Sequence, residues 1–163
     1  MSGLTGAGTA MSIIQDFYTI YDRESAKYRD QKSSTHRVVL ELSQNLSFLR
    51  EGLAENLDSV AIVSGLEDEQ FRKANEKGAN LNAIQKRTLD RDTYGAAKEF
   101  DKYHGWSTEK LINNTYERIA TIKKLGAGSQ AIDITARLQY LFKYLMVLIT
   151  HIEGNRLTIT SKK

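Results

Sequence analysis

The stretch ITARLQYLFKYLMVLITHI, residues 134–152, decides how the chain reads. Its apolar residues Ile134, Leu138, Leu141, Leu145, Leu148 and Ile152 recur at steps of four and three, a spacing that gathers on one face only in an α-helix. A second stripe, Tyr140, Tyr144, Val147 and His151, lies roughly a quarter turn or more away, which leaves Gln139, Lys143 and Thr150 as the polar face. A surface helix buries a stripe a little over about 100° wide. This helix has more apolar surface than one neighbour can cover, so it is expected to be a central helix or an interface helix.

Upstream, Ser107 has the position of an N-cap, and Trp106 before it is placed to pack on Leu111 as a hydrophobic staple. The face Leu111 or Ile112, Thr115, Ile119, Ile122 and Leu125 predicts a helix that Gly126 ends, and a short turn over residues 127–129 makes it an antiparallel neighbour of the terminal helix. Farther back, Val39, Leu42, Leu46, Leu49, Leu53, Leu57 and Val60 predict one helix from Ser34 to Ser64. It would be about 45 Å long at about 1.5 Å per residue, unless Gly52 bends it. Ser12 and Gln15 have capping-box spacing, and Ile13, Ile14, Phe17 and Tyr28 predict a first helix that fades at the polar cluster of residues 30–34.

Between Gly65 and Gly105 the periodicity weakens. A short helix is predicted over Glu67–Lys77, stopped by Gly78, and another over Arg91–Tyr103, weakened by Gly95; Ala79–Asp90 reads as irregular. The expected fold is all-α, a four-helix-bundle-like core with a short helical insertion between the second and third long helices. Residues 1–11 have linker composition and read as a flexible segment, 12–154 as a single helical domain with its insertion at 65–105, and 155–163 as a tail.

Composition agrees. Proline is absent where an average chain of this length carries about eight, which favours uninterrupted helices. Cysteine is absent too, excluding disulfide scaffolds, thiol catalysis and cysteine-ligated zinc. The longest apolar run is too short to span a bilayer and no secretory signal is visible, so a cytoplasmic protein without membrane attachment is expected. Residues 106–163 carry nine Lys and Arg against four Asp and Glu, a basic third that can face a phosphate backbone. The cations are scattered among apolar residues rather than aligned, which favours a solvated face.

Chemistry-bearing motifs are few. Metal sites in helical bundles use Glu-x-x-His, because residues three apart project together, and that motif does not occur; no metal or cofactor is expected. Arg29 and His36, six residues apart in between, fit the outer limit of a helical RNase pattern in which Arg holds the phosphate and His moves the 2′-hydroxyl proton. The plainer reading is two solvated residues at a turn. Tyr94, Tyr103, His104 and Trp106 interleave with lysines, a mix that can stack bases or bind an acidic peptide, or can simply cap one end of the core.

The leading expectation is a non-enzymatic helical interaction module, self-associating or the adaptor of a larger complex, with Tyr140, Tyr144, Val147 and His151 as the interface. A second protein molecule is placed slightly ahead of the insertion as the cover of that stripe, because the insertion holds sixteen charged residues in its forty positions from Leu66 to Gly105. The alternatives are an RNA-directed helical nuclease or toxin using Arg29 and His36, and a nucleic-acid-binding accessory protein.

Overall fold

A computed structural model describes residues 33–127 and 133–155, which form helices and turns without any strand. The helix expected over residues 12–30, the turn at 128–129 and the tail beyond 155 lie outside the described residues.

The first described helix, α1 (Ser34–Ala54), starts at Ser33, whose hydroxyl accepts from the His36 amide, and buries Val38, Leu42, Leu46 and Leu49. It does not continue to Ser64. Asn56 adopts a left-handed φ of 52°, the Asn56 amide reaches back to Leu53 O, and the Leu57 amide bonds Gly52 O at 2.9 Å. This paired closure ends a helix by satisfying its last carbonyls. Asp58 then caps α2 (Ser59–Gly65), which folds back until Ile62 Cγ1 lies 3.0 Å from where a Cβ on Gly52 would sit. Leu57 and Val60, which keep step with the heptad in sequence, are left 44% and 62% exposed.

The next helix, α3 (Glu69–Glu76), takes its cap from another helix. Asp68 makes no side-chain cap, and Glu41 of α1 instead accepts from the amides of Gln70 at 2.7 Å and Phe71 at 3.1 Å. One turn along α1, Asn45 pairs with the Glu67 backbone in both directions, at 2.8 and 2.9 Å. Two polar residues spaced four apart on the buried face of α1 thus fasten the α2–α3 link.

The insertion departs from its predicted outline twice, the first time at a 3-10 turn over Leu81–Ala83 in the stretch read as irregular. Gly78 and Gly95, both at positive φ, end α3 and α4 (Arg91–Tyr94), and a 3-10 turn over Lys98–Tyr103 stands where a continuous helix was expected. Backbone bonds from Leu89 N to Trp106 O and from Gly105 N to Leu89 O close its base. The fifth helix, α5 (Thr108–Ala127), begins as predicted, the Lys110 amide donating to Ser107 Oγ at 3.2 Å. The last, α6 (Ile134–Glu153), is capped by Asp133 and closed by Gly154 at φ 70°. It touches α1, α2, α4 and α5, so it is the central helix. It runs antiparallel to α5, with His151 beside Thr108 and Asp133 across from Thr121.

Three of the four residues of the second stripe of α6 are buried within the chain. Tyr144, Val147 and His151 are 2%, 4% and 3% exposed, and Tyr140 is half-buried. Phe100 lies 5.9 Å from Tyr140 between ring centroids, Tyr103 meets Tyr144 edge-on at 5.1 Å, and Thr108 Oγ1 sits 2.9 Å from His151 Nε2. The insertion supplies the cover over Tyr140 and Tyr144, and with Thr108 of α5 it closes over His151. Its charge count says little about its inner face, where Leu81, Leu89, Tyr94, Phe100 and Tyr103 are buried. The aromatic contact patch shrinks for the same reason: Tyr94 and Tyr103 are 1% and 3% exposed, Tyr94 giving its hydroxyl to Asp101, and only Trp106, half-buried, and His104, exposed, meet solvent.

Candidate functional site

A cleft of about 620 Å³ lies between α5 and α6, lined by Asn114, Glu117, Arg118, Thr121, Ile122, Ala136, Arg137 and Tyr140, with Asp133 at its end. That volume lies within the range of about 300–1,000 Å³ usual for ligand sites. It lies between two antiparallel helices, and most of the residues that line it on each are polar or charged.

Arg118 is the centre of the cleft. Its Nε donates to Asn114 Oδ1 at 2.9 Å, one turn earlier on α5, and its Nη2 donates to the Tyr103 hydroxyl at 2.6 Å. The guanidinium lies over two rings, 4.8 Å from the Tyr140 centroid and 5.3 Å from that of Tyr144. Both of its acceptors are neutral, and among the described residues it forms no ion pair. A half-buried cation is thus held in place with no carboxylate in direct contact among the described residues and part of its donor fork unused.

Tyr103 passes this polarisation on. Its oxygen accepts from Arg118 and lies 2.8 Å from the Tyr140 hydroxyl, and either of the two phenols can donate to the other. Burial, and the Tyr103 hydroxyl beside it, push the Tyr140 phenol above its ordinary value, and burial does the same to Tyr144. These hydroxyls therefore remain protonated near neutral pH and act as donors, not as general bases. Lys102 hangs at the rim, 5.4 Å from the Tyr140 ring, and Trp106 lies beyond in an adjoining recess with Lys110 stacked on it at 4.0 Å.

The remaining expected residues fall elsewhere. His36 sits exposed in the first turn of α1 with its ring against Ser33 Oγ, and Arg29 lies outside the described residues. His151 is buried in a closed set: Thr108 Oγ1 donates to Gln85 O at 2.7 Å and so accepts from His151 Nε2, while Gln85 Nε2 donates back to the His151 carbonyl. Burial, and Arg87 nearby, hold the imidazole below its usual range, with Asp90 opposing. No group of three or more His, Asp or Glu among the described residues is placed to hold a metal ion, and no described helix is long and apolar enough to cross a membrane.

Of the candidates read from sequence, the structure brings together Tyr140, Tyr144 and Tyr103. Arg118, which organises them, gave no signal beyond its Asn114 partner four residues earlier. Comparison of the chain with models of known families, with curated proteins and with solved structures yields no match, so the reading of function rests on this geometry.

Proposed function

We propose that the protein is a non-enzymatic helical interaction module that receives a protein partner along the cleft between α5 and α6. The frame we propose is four-helix-bundle-like with its insertion at 65–105, and among the described residues α1, α5 and α6 are its long helices. The observation that carries the reading is Arg118, a pre-positioned cation that makes no ion pair among the described residues. Self-association has less support than an adaptor role, because the apolar stripe on which a symmetric dimer would rest is already covered by the insertion.

The nucleic-acid reading has less support still. Glu117 and Asp133 balance Arg118 and Arg137 along the cleft, and a polyanion gains little there. Three of the nine cations in the basic third, Arg156, Lys162 and Lys163, fall outside the described residues. To test the interaction reading, a photo-crosslinking side chain is placed at Thr121 in the cleft and, as control, at Lys77. One recurrent protein adduct at Thr121 alone is expected. Equal capture at both positions, or none at Thr121, overturns the proposal.

A further inference from the structure

The cleft's chemistry also specifies what kind of partner segment fits. We infer that Arg118 and Tyr140 receive the carboxylate of an acidic side chain, and that Glu117 and Asp133 receive a neighbouring basic one, so that the ligand is a short peptide segment of mixed charge. This rests on the interaction reading above.

Four observations converge. Arg118 keeps unused N–H donors beside the two that go to Asn114 and Tyr103, and a guanidinium fork matches a carboxylate geometrically. Tyr140 lines the cleft 2.8 Å from the Tyr103 hydroxyl and stays protonated, so when it accepts from Tyr103 its own proton is a second donor for the ligand. The lining is charge-balanced, Arg118 and Arg137 with Glu117 and Asp133, which complements a segment carrying both signs and opposes a ligand carrying one. Asn114 holds the arginine from within α5, so the site is formed before the ligand arrives.

The test is an NMR titration of the whole chain with three probes. They are a capped short peptide with one glutamate followed by one lysine, the same peptide with both replaced by glutamine, and a short thymidine oligonucleotide. The charged peptide alone is expected to shift the Arg118 Nε–H resonance and the amides of 114–121 and 133–140. Its affinity should fall by about tenfold in Arg118→Gln and less in Arg118→Lys, which keeps the charge and loses the fork. Equal binding by the glutamine peptide, or undiminished affinity in a folded Arg118→Gln protein, overturns the carboxylate assignment. So does preferential binding of the oligonucleotide, or silence with every probe. A Thr121 crosslink that survives such a result leaves the interaction reading standing without this ligand class.

Discussion

Glu41 and Arg118 are both ionisable residues on long helices, turned toward neighbouring elements, and the molecule treats them in opposite ways. Glu41 is 1% exposed and accepts three hydrogen bonds, from the Tyr116 hydroxyl and the Gln70 and Phe71 amides, so that α1, α3 and α5 meet on one carboxyl group. Around it Phe71 stacks on Tyr116 at 4.0 Å with the rings 4° from parallel. Arg118 is half-buried beside a cleft and donates to two neutral groups. The number and kind of partners separates a charge that fastens elements from one with capacity left for a ligand.

If Glu41 is a fastener, its loss is severe. Glu41→Ala strands the Tyr116 hydroxyl and two amides at the start of α3 in a buried site, and is expected to cost at least about 3 kcal/mol. Urea unfolding monitored by circular dichroism measures it. A loss below about 1 kcal/mol would erase the contrast, because Glu41 would then be as dispensable as a surface charge.

What was legible in the sequence depended on range. The stripe Leu138, Leu141, Leu145, Leu148 and the cap at Ser107 follow from neighbours within two helical turns, and both stand in the structure. The break after Ala54 was hidden because Leu57 and Val60 keep heptad step through a turn; its signals were Asn56, tolerant of left-handed φ, and Asp58, a capping residue. Glu41 and Asn45 looked like ordinary polar positions because their partners lie more than twenty residues away. The cleft was half legible. Tyr103 and Tyr140 could be singled out as aromatic, but their meeting with Arg118 depends on the insertion folding over α6, and periodicity carries no information about that.

The seam between the insertion and α6 is the intermediate case, a closed polar set with one titratable member. Thr108→Val leaves the Gln85 carbonyl and His151 Nε2 unpaired in the interior and is expected to cost about 1 to 3 kcal/mol. The same seam should make stability depend on pH. His151 is held below the unfolded value of about 6.5, so as pH falls the unfolded chain takes up the proton first. Stability is full above about pH 6.5 and is lost as pH drops toward the lowered folded value. Urea midpoints across that window should slope less in His151→Gln; an unchanged slope would move the titration to other groups.

A smaller effect is expected where a cap serves its own helix only. Ser107→Ala removes the acceptor for the Lys110 amide and should cost about 1 kcal/mol with the fold retained. Because Trp106, stacked beneath Lys110, holds the entry to α5 independently, the amide of Lys110 should lose exchange protection while those beyond Leu111 keep theirs. Loss of protection along the whole of α5 would mean that the cap organises more than its own turn.

The smallest change in stability is expected at the other pole of the comparison. Arg118→Leu deletes two hydrogen bonds to neutral acceptors, but it also relieves the half-burial of a cation that forms no ion pair among the described residues, and the leucine can still pack on the Tyr140 and Tyr144 rings. Tyr103 keeps Tyr140 as a partner, so no buried hydroxyl is orphaned. These contributions oppose one another, and the net change should stay within about 1 kcal/mol by urea unfolding. A loss comparable to that of Glu41→Ala would show that Arg118 is a second fastener, and the cleft would then be a seam of the fold. Near-neutral stability joined to loss of the Thr121 crosslink is the combination that separates a residue kept for its partner from one kept for the core.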